Sequence, residues 1–243
     1  MNLKLAGLNA VVTGGSAGIG AAIVRAFAGE GCNVAFCARN QARIDTLLRS
    51  VESLPGTVRA RALDVVDSNQ FKAWLEELGS VDIFVPNVSA VSGDWNASVQ
   101  TDILATVSAT EAAVPFLLRS SHAAITYIGS KAASLAMPGS AAYGAAKAAM
   151  AHYMKSLALR LLPAVRVNTV SPGDTLGEGG VWDKARIRDP EAFEKDVQRS
   201  PMKRLAAPEE IARVVVFISS PAASFVAGVN WYVDGGSVGH VQI

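Results

Sequence analysis

The sequence predicts an α/β fold: one doubly wound, seven-stranded parallel sheet with helices on both faces, spanning residues 1–243 as a single domain. Two observations lead there. Short apolar runs alternate with segments of helical periodicity almost from end to end, and strands joined through helices pair in parallel, because a right-handed crossover supplies the helix between neighbours. Half of the 243 residues are apolar, enough for a sizeable core at a length that suits one α/β domain.

The first apolar run ends with Val11-Val12 at a glycine cluster. Ile19, Ala22, Ile23, Ala26 and Phe27 then recur at helical spacing, and Gly29 and Gly31 close that helix. Val34 to Cys37 reads as a strand, Ile44 to Val51 as a helix, and Val58, Ala60 and Ala62 as an alternating strand that leads to Asp64. Phe71 to Leu78 is helical and Val81 to Val85 a short buried strand. Val99 to Leu118 reads as one long helix despite Pro115, followed by a strand at Ile125 to Ile128 and an alanine-rich helix from Ala141 to Leu162. Val165 to Val170 and Val229 to Val233 are the last two strands. Between them, Pro208 to Ser219 is a helix with proline near its start and Glu209-Glu210 in its first turn, where acids suit the helix dipole. Gly173 to Asp189 reads as the longest irregular stretch, and a substrate lid is expected over about 174–200.

Composition narrows the function. The net charge is +1 and the charges are scattered, so neither nucleic acid nor an anionic membrane is an expected partner. Cys32 and Cys37 would face opposite sides of one strand. His122, His152 and His240 match no metal-ligand spacing, so no metal site is expected. The balance suits a reducing, cytoplasmic setting. Met1 to Leu8 has one lysine and no long apolar core, so no signal peptide is expected. No apolar run reaches the roughly 20 residues a spanning helix needs.

Two clusters carry chemistry. Thr13-Gly14-Gly15-Ser16-Ala17-Gly18-Ile19-Gly20 joins the first strand to the first helix. Glycines there let backbone approach a pyrophosphate, while helix N–H groups and the dipole face the anion, as in a Rossmann domain. The second strand ends in Cys37-Ala38-Arg39-Asn40, with no acid to hold a ribose 2′-hydroxyl and an arginine suited to a 2′-phosphate. NADP(H) is therefore the expected cofactor, with NAD(H) the alternative. Asp64, with Val65 beside it, is a candidate for the adenine end, or else a helix cap with Asp67 and Ser68. The second cluster is Tyr143 and Lys147, four apart and so on one helix face. A free tyrosine has a pKa of about 10. A neighbouring ammonium favours the phenolate, which makes the pair a proton donor and acceptor.

With these motifs the sequence resembles the short-chain dehydrogenase/reductase family over essentially its whole length. The resemblance rests on Thr13 to Gly20, the pair Tyr143 and Lys147, Ser130 thirteen residues before Tyr143, Pro172-Gly173 after the sixth strand, and Val233-Asp234-Gly235-Gly236 near the C-terminus. It implies a hydride transfer between nicotinamide and a carbonyl or alcohol. Tyr143 would be the acid/base, Ser130 would orient the carbonyl oxygen, and Lys147 would support Tyr143 and bind the nicotinamide ribose. Gly14, Ser16, Ala17, Gly18, Ile19, Gly20, Arg39, Asn40, Asp64, Val65, Asn87, Pro172, Gly173 and Thr175 would surround the cofactor. The resemblance also implies a homodimer or homotetramer built on the small-residue helices Ala97 to Leu118 and Ala141 to Leu162. Taken alone, Ser130 reads equally as a turn hydroxyl and Asn87 as a turn former.

The chain departs from the family pattern in several places. Pro86-Asn87-Val88-Ser89 replaces the usual Asn-Asn-Ala-Gly, keeping only Asn87. Asp102 stands where the family often has an asparagine that supports a water path from the catalytic lysine. A carboxylate there either keeps a relay with altered pH dependence or only caps and solvates the helix. The stretch from Asn87 to Trp95 is shorter than usual in the family, which would open the pocket. Trp182, in the expected lid, reads as a lid anchor or contact more than a substrate wall. These breaks keep a catalytically weak nucleotide-sensing protein as the second reading. A serine hydrolase is disfavoured, since no Gly-x-Ser-x-Gly elbow is present and no histidine is placed as base.

Overall fold

In a computed structural model that describes residues 1–241, seven parallel strands form one sheet in the order β3-β2-β1-β4-β5-β6-β7. The strands are β1 (Asn9–Thr13), β2 (Asn33–Ala38), β3 (Val58–Ala62), β4 (Ile83–Val85), β5 (Ala124–Ile128), β6 (Arg166–Pro172) and β7 (Asn230–Val233). Their order matches the expected doubly wound sheet. The strand read from Val81 begins at Ile83, because Asp82 turns its carboxylate back to the Asn9 backbone N–H at 2.8 Å.

Helices cover both faces. On one, α1 (Gly18–Gly29), α2 (Gln41–Val51) and α9 (Pro208–Ser219) bury Ile23, Phe27, Ile44, Leu47, Ile211 and Val215 against the sheet. On the other, α3 (Ser68–Leu78), α5 (Thr106–Leu117) and α6 (Ala141–Leu161) bury Phe71, Leu75, Leu117, Met150 and Leu157 against the opposite side chains of the same strands. Central strands buried on both faces need continuous apolar runs rather than alternation, and all five residues of β5 are buried.

Two expectations need correction. The long helix read from Val99 is three pieces: α4 (Trp95–Ala97), a π-helical segment Ser98–Ala105, and α5. Wider π turns recur at functional sites, and this one carries Asp102. The stretch read as irregular to Asp189 contains α7 (Val181–Arg188), and α8 (Pro190–Arg199) follows at once. Asp189 caps α8 by accepting from Ala192 N–H at 2.9 Å, with Pro190 at the first position. Neither helix carries a broad apolar stripe, and Trp182 packs edge-on against Phe193 at 6.2 Å, making a small core inside the excursion.

Candidate active site

The strand order reverses between β1 and β4, and a crevice opens at the carboxyl ends of strands at such a switch point. The glycine loop fills one side. A side chain at Gly20 would strike the Gly14 carbonyl oxygen at 2.2 Å, so this turn admits only glycine there. Asn87 ties the loop down, its amide donating to the Thr13 and Gly14 carbonyls at 3.0 and 3.2 Å. Its backbone N–H also donates to Thr13 Oγ1.

The residues present fit the phosphates of a dinucleotide. Gly18 has φ +51 with nothing within 4 Å of where a Cβ would stand. Ala17, at the helix cap, offers no side chain to the first N–H groups of α1. Such unspent donors on a twelve-residue helix make an anion cradle. At the end of β2 the Arg39 side chain is 81% exposed and 3.8 Å from Asp64. Asp64 also accepts from the Val66 N–H, while Asp67 caps α3. Val65 buries its side chain in the core. Asn40 caps α2 by accepting from the Arg43 N–H at 3.0 Å.

The other side of the crevice is built on β5, β6 and α6. Ser130 follows β5 and caps a short turn, its Oγ accepting from the Ala132 N–H at 3.1 Å. Its own O–H proton is left for another acceptor. The start of α6 packs onto that turn: a side chain at Gly144 would stand 3.1 Å from the Ala132 carbonyl oxygen. This contact sets Tyr143, half-buried and next in the chain, beside the Ser130 turn. One turn on, Lys147 is 2% exposed, with its Nζ 5.7 Å from the Tyr143 ring centroid. Its ammonium donates to Ile128 O and to Tyr127 Oη, both at 3.1 Å, and stands 3.8 Å from Asp102. Lys147 and Asp102 thus lie buried beneath the start of α6, which carries Tyr143 and packs on the Ser130 turn.

Beyond β6, Gly173 is forced by the close pass of Asp234, whose Cα would lie 2.6 Å from a Cβ. Thr175 bonds back to the Gly173 carbonyl, and Gly177 passes so close to the glycine loop that a Cβ added to it would stand 3.5 Å from the Gly18 Cα. The loop after β6 therefore meets the glycine loop across the crevice.

Two features escaped the sequence reading. Tyr127 is a fully buried tyrosine inside an otherwise small or aliphatic strand, and its polar tip needs a partner. Lys131 and Asp174, the residues after Ser130 and Gly173, form a half-sheltered ion pair at 2.5 Å. Both cysteines are free and buried, and burial pushes their thiols up to about 12, so neither offers a thiolate at neutral pH. Among the described residues no cluster of three or more His, Cys, Asp or Glu could hold a metal ion.

Comparisons with known proteins give a consistent picture. A family model described as enoyl-(acyl carrier protein) reductase matches residues 14–238. Isoepoxydon dehydrogenase of Penicillium expansum is 35% identical over 246 aligned residues, covering 96% of this chain and 95% of that protein. Among solved structures, L-sorbose reductase from Gluconobacter frateurii, complexed with NADPH and L-sorbose, superposes with a TM-score of 0.92 at 29% identity, covering 99% and 100% of the two chains. An NADPH-bound short chain oxidoreductase from Pseudomonas aeruginosa PAO1, described as containing an atypical catalytic centre, gives 0.89 at 31% identity over 97% and 100%.

Proposed function

The chain belongs to the short-chain dehydrogenase/reductase family, and on that premise we propose that it is an NADP(H)-preferring oxidoreductase that interconverts a carbonyl and an alcohol. The observation that carries the reading is the buried Lys147 ammonium beneath Tyr143, on the helix whose start packs on the Ser130 turn. The L-sorbose reductase and the Pseudomonas enzyme both hold NADPH in structures that this fold matches closely.

The glycine loop, Arg39, Lys147 and the loop from Pro172 to Thr175 would hold the cofactor, which when bound would supply or accept the hydride. Ser130 donates its free hydroxyl proton to the carbonyl oxygen and fixes its direction. Tyr143 gives that oxygen a proton during reduction and takes one from the hydroxyl during oxidation. Lys147 supports the charge that develops on the phenol oxygen as the proton leaves. The excursion over 174–200 serves as the substrate lid, with Trp182 as its internal anchor. The Lys131–Asp174 pair gives the substrate side a charged wall, which suits small hydroxylated ketones over apolar ones.

The reading extends to assembly. Trp95 on α4, Leu104 on the π-helical segment and Leu118 at the end of α5 are exposed, and Leu159 on α6 is 71% exposed. These faces support a homodimer or homotetramer, to be measured by light scattering. No helix among the described residues is long and apolar enough to cross a membrane, and two unbridged cysteines suit the cytoplasm.

The decisive experiment follows NADPH absorbance against a panel of ketones. Turnover by the wild type, its loss by roughly a hundredfold or more in Tyr143→Phe, and retained NADPH binding in that variant are the expected results. A wild type that binds NADPH yet reduces no carbonyl would support the nucleotide-sensing reading instead.

A further inference from the structure

Beneath the candidate site, three elements meet in a closed polar cluster: Asp102 on the π-helical segment, Tyr127 on β5 and Lys147 on α6. Asp102 and Tyr127 are fully buried and Lys147 nearly so. Burial pushes the Tyr127 phenol far above its ordinary value, with the Asp102 charge adding to the effect, so this side chain remains a neutral hydroxyl. Its oxygen accepts from Lys147 Nζ at 3.1 Å, and the Ile128 carbonyl accepts at the same distance.

The ion pair beside these bonds is not closed. Lys147 Nζ stands 3.8 Å from Asp102 Oδ1, against about 2.7–2.9 Å for a charge-assisted hydrogen bond. That carboxylate oxygen is fully buried with no hydrogen-bond partner, while Oδ2 takes only a 3.3 Å bond from the Ala90 N–H. Opposite charges attract strongly at low dielectric, and a buried oxygen without a partner is costly. The pair stays open because two acceptors fixed on β5 hold the ammonium back. One is the Ile128 backbone carbonyl, and the other is the side chain of Tyr127.

We propose that Tyr127 is a positioning residue: its hydroxyl, anchored in the sheet, holds the Lys147 ammonium off Asp102 and keeps that charge available to Tyr143 and the cofactor. This rests on the oxidoreductase reading, and nothing in the sequence motifs assigns Tyr127 a role. A lysine captured by Asp102 would be neutralised beneath the site and withdrawn from it.

The test is a double-mutant cycle of Tyr127→Phe and Asp102→Asn, read by NADPH fluorescence titration and by steady-state ketone reduction. Phenylalanine keeps the ring and removes only the acceptor. In the wild-type background, Tyr127→Phe is expected to lower kcat and weaken NADPH binding by about tenfold each while ketone KM moves less than about twofold, the scale of one hydrogen bond to a charged group. In the Asp102→Asn background the capturing charge is gone, so the same change costs less than about threefold. Wild-type behaviour of Tyr127→Phe, or an equal loss in both backgrounds, overturns the proposal. Circular dichroism verifies the fold, and Tyr127→Leu replaces phenylalanine in the cycle if that variant fails to fold. The binding arm needs no turnover, so a wild type that reduces no ketone sinks the oxidoreductase reading while the fluorescence cycle still decides on Tyr127.

Discussion

The Lys131 ammonium and the Asp174 carboxylate join the loop after β5 to the loop after β6 at 2.5 Å, each one residue beyond a candidate site residue. On the proposed function this pair walls the substrate side, and such a wall would favour substrates that bring their own hydroxyl groups, because an apolar face pressed on an ion pair leaves polar atoms unpaired. Lys131→Met should lower kcat/KM for a hydroxylated ketone by about tenfold relative to its apolar analogue, on the scale of one charged hydrogen bond. Parallel kinetics on the two ketones measure it, and an unchanged ratio removes Lys131 from the substrate's surroundings.

Arg39 is exposed and loosely paired with Asp64, free to turn to a phosphate. Arg39→Ala should weaken NADPH binding by roughly tenfold or more, in line with loss of a charge-assisted bond. NADH binding should barely move. Calorimetric titration of both nucleotides checks this, and an equal loss for both would place the guanidinium away from the 2′ position.

Asp102→Asn removes the charge that faces Lys147 while keeping shape. The ammonium is then uncompensated below Tyr143, and the pH–rate profile for alcohol oxidation should shift its alkaline rise to lower pH. A profile that superposes on the wild type would assign Asp102 a purely structural part. Asp102→Ala should be harsher, since besides removing the counter-charge it takes away the acceptor of the Ala90 N–H and leaves a cavity beside the buried ammonium, a loss of about 3–5 kcal/mol in stability by denaturant unfolding.

Glu210 lies in the first turn of α9, and its carboxyl is held down at about 2, first by the two-pronged bond from Arg204 and then by the Ala207 N–H. A depressed carboxyl stabilises the fold above its ordinary value of 4.5 and loses that contribution as the pH falls toward 2. Glu210→Gln should therefore lose less stability than the wild type over that window. Thermal melts at stepped pH measure the difference, and parallel slopes would contradict it.

Much of the fold was legible because alternating apolar runs and helical periods survive burial. Val11, Phe36, Ile83 and Ile125 fall where the pattern places strands. Glycines 14, 18 and 20 marked the crevice because their spacing is a backbone requirement. The π turn around Asp102 was hidden, since one extra residue per turn leaves the apolar spacing of Val99 and Ile103 readable as an ordinary helix. Helices α7 and α8 were hidden because Trp182 and Phe193 satisfy one another instead of a stripe, although Asp189-Pro190-Glu191 is a start signal. The bond from Lys147 to Tyr127 joins residues twenty apart through strand register, which no local pattern encodes.

The excursion between β6 and α9 leaves and returns through a narrow neck. Leu176 N–H donates to Ala206 O, and Ala206 N–H donates to Asp174 O, both at 2.9 Å. Closing the ends of a long insertion costs entropy that grows only slowly with its length, and here the neck holds the ends together independently of what lies between. The helical pair is in effect a cassette: its contents can be exchanged for a wall of another shape while the sheet, the glycine turn and the Tyr143 helix keep their register.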